Sequence, residues 1–193
     1  TAKRVKESLA MAGPAPELTA APGRKPGAVT VTVRIDPRLV PREQGYHLTV
    51  LPEEIRVVGH DPAGAFYAAM TLEQVARQSR GAGELPCLRI EDWPDFAHRG
   101  VMLCISRDKV FKMETLYSLV DMLAEWKVNQ LQLYTEHTFA YRDHRDVWKA
   151  ASPMTGEEVL ELDSYCRDRF VELVPNQNSF GHMERWLMHP RYG

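Results

Sequence analysis

Between Val101 and Pro175 the hydrophobic period switches repeatedly between strand and helix, and this rhythm restricts the fold more than any other feature of the chain. Val101-Met-Leu-Cys-Ile is a continuous apolar run, the pattern of a strand covered on both faces. Leu116, Leu119, Val120, Leu123 and Trp126 then recur at helical spacing. A second strand is predicted from Val128 to Tyr134, after a tight turn at Lys127. A helix follows from Gly156 to Arg169, carrying Val159, Leu160, Leu162 and Tyr165, and Phe170-Val-Glu-Leu-Val-Pro is a third strand. Strands that alternate with helices are joined by crossovers, so their sheet is expected to be parallel.

Such a sheet closes as an eight-stranded barrel or stays open as a doubly wound layer. A complete barrel takes about 250 residues. This part of the chain supplies only three βα units, which leaves five strands missing. The doubly wound alternative lacks support for a nucleotide role, because no G-x-G-x-x-G and no P-loop follows the first strand.

Upstream the pattern is different. Thr1 to Pro26 is rich in Ala, Pro and Gly, reading as a helix end and a flexible connection. The segment from Ala28 to Ile35 alternates with period two, as a half-buried strand does. Tyr46 to Val50 and Glu54 to Gly59 flank the short turn Leu51-Pro52-Glu53 and read as a hairpin. Phe66, Met70, Leu72, Val75 and Ala76 give an amphipathic helix stopped by Gly81 and Gly83. Leu85 to Phe96 holds a short strand and a proline-stiffened crossing. The expected organisation is an α+β domain at 1–92 and an α/β domain at 93–193.

The 193 residues are 44% hydrophobic and 26% charged, which is globular rather than disordered composition. Basic residues are scattered and the formal charge is −2, so no nucleic-acid partner is indicated. No apolar run reaches the roughly 18 residues of a membrane span, so no membrane partner is expected. Cys87, Cys104 and Cys166 form no C-x-x-C, which points to reduced thiols and mildly favours a cytoplasmic setting. No H-E-x-x-H and no histidine pair at ligand spacing is present, so neither a metal nor another cofactor is expected.

In parallel βα architectures the functional groups gather at the carboxyl ends of the strands. That rule selects Ser106-Arg107-Asp108, Thr135-Glu136-His137 and the loop from Asn176 to His182. Arg107 offers a planar fork of donors for vicinal hydroxyls, and Glu136, Asn176 and Gln177 can pair with hydroxyls. Tyr134, Phe139, Tyr141, Trp148, Phe180 and Trp186 lie near in sequence and could supply apolar faces to a pyranose ring. The chemistry points to a carbohydrate ligand.

These segments resemble the family 20 glycoside hydrolases, the β-N-acetylhexosaminidases. In the first domain the resemblance rests on Glu43-Gln-Gly-Tyr-His-Leu-Thr-Val, Ile55-Arg-Val-Val-Gly-His-Asp-Pro-Ala-Gly-Ala-Phe-Tyr and Thr71-Leu-Glu-Gln. It continues through Ile90-Glu-Asp-Trp-Pro-Asp-Phe, Arg99-Gly-Val-Met-Leu-Cys-Ile-Ser-Arg107, the segment ending Glu136-His-Thr-Phe139, Val174-Pro and Gly181-His182. It implies a zincin-like α+β domain followed by the first three βα units of a truncated (β/α)8 TIM barrel. Arg107 then inherits the role of holding hydroxyls of a terminal N-acetylhexosamine, and Glu136 and His182 that of a supporting polar relay. His137, Asn176 and Gln177 complete the expected substrate-binding set.

The implied reaction is substrate-assisted hydrolysis, in which the sugar's acetamido oxygen is the nucleophile. The family's Asp-Glu pair follows its fourth barrel strand, so no catalytic residue is expected within this chain, which by itself should be inactive. Cys104 stands where the family usually has aspartate, and Gln130 and Gln132 where it usually has histidines. Those departures keep a non-catalytic carbohydrate-binding protein in view as an alternative. The open edges of a three-stranded sheet also offer self-association.

Other acidic pairs have simpler readings. Glu53-Glu54 and Glu91-Asp92 read as solvated surface acids, and Glu157-Glu158 as carboxylates favoured at a helix amino terminus. Cys104, inside a strand run, reads as a small buried apolar residue.

Overall fold

The computed structural model describes residues 29–82, 84–107 and 109–193; the helix end and connection expected at 1–26, and the positions of Gly83 and Asp108, lie outside them. Two compact units divide between Ala97 and His98.

The first unit holds a four-stranded sheet made of β1 (Thr30–Ile35), β2 (Tyr46–Leu51), β3 (Glu54–Gly59) and β4 (Leu88–Asp92), in the order β1-β3-β2-β4. β2 and β3 form the expected hairpin, β1 joins β3 in parallel and β4 joins β2 antiparallel. Leu48, Val50, Ile55 and Val57 are buried from this sheet against α1 (Pro62–Gln78), whose Ala65, Phe66, Ala69, Met70, Leu72 and Ala76 are also buried.

The start of α1 is fixed by Asp61. Its carboxylate accepts from the backbone N–H of Gly64 at 2.7 Å and from that of Gln44 at 2.8 Å. Gly64 passes so close to the Gly45 carbonyl oxygen that a Cβ there would stand 2.1 Å from it. Only glycine allows that approach.

The hydroxyl of buried Tyr46 donates to Asp92 at 2.8 Å and lies 2.6 Å from the Thr71 hydroxyl, linking β2, β4 and α1. Asp92 is therefore a partnered acid and not simply a solvated one. Glu91 pairs with Arg89, and Glu54 with Arg56.

The second unit is a parallel sheet in the order β5 (Gly100–Cys104), β6 (Gln130–Thr135), β7 (Glu172–Gln177). The two crossovers carry α2 (Met113–Glu125) and α4 (Gly156–Arg167), with the short α3 (Arg145–Trp148) before α4 and α5 (Glu184–Leu187) after β7. Leu131, Leu133, Leu116, Val120, Leu123 and Leu162 are buried between sheet and helices. Thr155 and Glu158 close a reciprocal capping box at the start of α4, which gives the acidic first turn its capping role.

Both helices end in the same way. The N–H of Lys127 bonds to Ala124 O and that of Val128 to Leu123 O, while Phe170 N–H bonds to Arg167 O and Val171 N–H to Cys166 O. These are two Schellman motifs. Each turns on a non-glycine residue in the left-handed region, Lys127 at φ 58° and Phe170 at φ 56°.

Several expectations are corrected. Among the described residues β5 is an edge strand paired with β6, and its Met102 is 60% exposed, while α4 packs on β7 and α2. Cys104 is accordingly half-buried rather than fully buried. Leu160 is 70% exposed because α4 turns Leu162 and Cys166 inward, and Trp126 lies just past the end of α2, exposed. Asn176 and Gln177 are the last two residues of β7, not part of the loop beyond it. The cysteines are free, and among the described residues no helix is long and apolar enough to cross a membrane.

Candidate functional site at the carboxyl ends of the parallel strands

Parallel register sets Cys104, Tyr134 and Asn176 side by side at the carboxyl ends of the three strands. The next residues of each chain segment supply the polar groups. Arg107 follows β5, Glu136 follows β6 and His182 lies in the loop after β7.

These three side chains converge. Arg107 Nε lies 3.6 Å from Glu136 Oε1, and His182 Nδ1 lies 3.9 Å from the same oxygen. Arg107 Nη2 stands 3.3 Å from His182 Nε2. Glu136 is 8% exposed, whereas the side chains of Arg107 and His182 are 60% and 51% exposed. A buried carboxylate thus anchors two exposed nitrogen groups that face outward. Hydrogen bonding to Tyr134, reinforced by the charge of Glu136, raises the pKa of Arg107 above its ordinary value. His182 sits at φ 54°, a left-handed conformation that costs a residue with a side chain about 1–3 kcal/mol.

Glu136 is held from every side. Its N–H donates to Ser106 Oγ at 2.7 Å. Its carbonyl accepts from Gln177 Nε2 at 3.0 Å and Trp186 Nε1 at 2.7 Å. Its Oε1 accepts from the Tyr134 hydroxyl at 2.8 Å, and that hydroxyl accepts from Asn178 Nδ2 at 2.6 Å. Ser106 in turn lies 2.8 Å from the hydroxyl of buried Thr138.

The other anticipated residues have different places. Gln177 is a scaffold residue here, with its amide nitrogen on the Glu136 and Asn178 carbonyls and its oxygen accepting from Tyr141. Asn176 Nδ2 reaches Met102 Sδ at 3.8 Å. His137 keeps a buried Nδ1 without a hydrogen-bond partner, and burial, with the nearby charge of Arg185, lowers its pKa.

The aromatic residues form a brace rather than an open platform. Trp186 packs against Tyr141, His144 and Tyr192 with ring centroids 5.5, 5.4 and 5.6 Å away, and His144 Nδ1 lies 2.6 Å from Tyr192 OH. This brace ties the segment after β7 to the loop after β6. Phe180, by contrast, is fully exposed.

Sequence reasoning did not give Ser106, Asn178 or the Tyr134 hydroxyl a role. The register of β6 offered the signal for Tyr134, since it shares a face with Gln130 and Gln132 and precedes Glu136 by two residues. The contact of Asn178 depends on how the loop turns, which no local pattern encodes.

Residues 1–93 match the family described as Glycosyl hydrolase family 20, domain 2. The chain is 25% identical over 183 residues to a beta-hexosaminidase of Porphyromonas gingivalis, covering 83% of this chain and 23% of that protein. It is 28% identical over 166 residues to a beta-hexosaminidase of Akkermansia muciniphila, covering 76% of this chain and 33% of that one. Among solved structures, a beta-N-acetylhexosaminidase from Bacteroides fragilis superposes with a TM-score of 0.74 at 28% identity, over 84% of this chain and 36% of its own. The chain thus spans about a quarter to a third of the length of these curated relatives. Residues 1–93 thus carry the match to domain 2 of glycosyl hydrolase family 20, and most of the chain is similar to beta-hexosaminidases.

Proposed function

We propose that the chain is the leading part of a glycosidase that removes terminal N-acetylhexosamine residues by substrate-assisted, retaining hydrolysis. The observation that carries this reading is the convergence of Arg107, Glu136 and His182 at the carboxyl ends of three parallel strands. The hexosaminidase relatives support it.

In this reading residues 1–92 are a zincin-like accessory domain and 93–193 open a TIM barrel. Arg107 offers its exposed guanidinium to sugar hydroxyls, with Glu136 and His182 fixing its direction. His137, Asn176 and Gln177 shape the wall behind them. The groups that orient the acetamido oxygen and protonate the leaving oxygen are an Asp-Glu pair after a fourth strand, outside residues 1–193. Protonation requires a glutamic acid that keeps its proton until the bond breaks.

The test is release of nitrophenol from an aryl N-acetylglucosaminide by the full-length protein. Turnover is expected, together with an Asp-Glu pair within about 150 residues downstream, the extent of the remaining barrel. Absence of both would sink the hydrolase reading.

One observation favours a second reading. Cys104, half-buried beside Tyr134 in the strand register, stands where the family usually has aspartate. A carbohydrate-binding protein without catalysis would bind N-acetylglucosamine in calorimetry and release no nitrophenol.

A further inference from the structure

We propose that Tyr134 is a positioning residue for the sugar site, with Asn178 setting the direction of its hydroxyl. The inference rests on the proposed function for its purpose, while its geometry stands independently. Tyr134 shares its sheet position with Cys104 and Asn176, so it sits on the central strand at the carboxyl end of the sheet.

A phenol has one proton to donate and lone pairs to accept. Asn178 Nδ2 donates into the oxygen at 2.6 Å, so the phenol proton is directed to Glu136 Oε1 at 2.8 Å. Asn178 is itself fixed, because its N–H bonds to the Thr135 carbonyl at 2.9 Å and its carbonyl accepts from Gln177 Nε2. The chain Asn178, Tyr134, Glu136 therefore connects the start of the loop after β7 to the carboxylate after β6.

This arrangement answers a problem that the Arg107 contact leaves open. At 3.6 Å the Arg107–Glu136 pair is an ion pair without the short, aligned geometry of a strong hydrogen bond. An exposed arginine held that loosely keeps many rotamers, and each costs entropy when a ligand fixes it. Tyr134 holds the carboxylate in one rotamer, and so fixes the partner against which the guanidinium and His182 are set.

The direct test is the NMR signal of Arg107 Nε–H in the full-length protein, compared with Arg99 Nε–H, which donates to the Lys127 carbonyl at 2.8 Å. Tyr134→Phe keeps the ring and removes only the hydroxyl. Hydrogen exchange at Arg107 Nε–H is expected to quicken about tenfold, the effect of losing one hydrogen bond to a charged group, with Arg99 unchanged. Equal exchange at Arg107 in both proteins would overturn the proposal, as would a parallel change at Arg99, which would mark general loosening.

The kinetic arm uses the aryl N-acetylglucosaminide. Tyr134→Phe is expected to raise KM about tenfold with little change in kcat, the mark of lost binding rather than lost chemistry. Adding Asn178→Ala to Tyr134→Phe should cause no further rise, because both act through one oxygen. Independent, multiplying effects would overturn the chain of contacts. A wild-type protein without turnover would instead count against the proposed function, and the exchange comparison would still decide the role of Tyr134.

Discussion

The hydroxyl of Ser106 accepts the backbone N–H of Glu136 at 2.7 Å, so the residue before Arg107 fixes the backbone of the carboxylate to which Arg107 pairs. Ser106 and Thr138 are both buried, and their hydroxyls lie 2.8 Å apart. Ser106→Ala would leave the Glu136 N–H buried without its acceptor. The expected loss is about 1–3 kcal/mol of stability, read as a lower urea midpoint with an unchanged slope. A midpoint equal to wild type would show that water replaces the hydroxyl.

Tyr46 makes the first unit sensitive to alkali. Burial, opposed in part by the Thr71 hydrogen bond, pushes its phenol pKa above the ordinary value. A group whose folded pKa lies above its unfolded one contributes stability that is complete below the unfolded pKa, about 10 for tyrosine, and that fades as pH rises beyond it. Stability followed by urea unfolding should therefore fall above about pH 10. Tyr46→Phe should be less stable at neutral pH by about 1–2 kcal/mol and should show a shallower fall in alkali. An identical alkaline slope in the two proteins would remove Tyr46 as its source.

Gly64→Ala tests the closeness of α1 to the loop before β2. The new Cβ would meet the Gly45 carbonyl oxygen at 2.1 Å, and backbone cannot step aside as a flexible side chain can. The gain in helix propensity from alanine, about 1 kcal/mol, is smaller than the expected strain of about 3 kcal/mol. A thermal melt should show a net decrease in Tm. An increase would mean that the helix start can shift.

Residues 1–193 expressed alone are expected to self-associate. β5 and β7 each pair with β6 alone among the described residues, so both present an unpaired edge. Light scattering over a concentration series should show growing mass. A monodisperse monomer would count against the edges as contact surfaces.

Element order was legible in the sequence wherever one period ran long enough. The hairpin at Tyr46 to Gly59, helix α1 and the three strands after Gly100 follow from alternation, helical spacing and apolar runs. Exposure was less legible. Val101 to Ile105 is apolar in composition, but its covering depends on neighbours that local pattern does not specify, and Met102 is exposed. The same limit applies to Leu160, whose side of α4 is decided by which turn faces α2.

The site was legible by position rather than by contact. The strand-end rule selected the segments that carry Arg107, Glu136 and His182, because chain topology alone brings those ends together. It could not separate residues facing outward from residues spent on internal hydrogen bonds. Gln177 looks like a sugar-binding amide in sequence, yet its amide groups are occupied by Glu136, Asn178 and Tyr141.

The paired helix ends at Lys127 and Phe170 have a practical meaning for anyone who needs a sturdier protein. Each forces a side chain into backbone territory that glycine occupies at no steric cost. Lys127→Gly would keep the carbonyl that Arg99 uses while relieving that strain. Its benefit is set against the greater freedom glycine gives the unfolded chain, so the junction before β6 is a place where stability can be gained by removing a side chain rather than adding a contact.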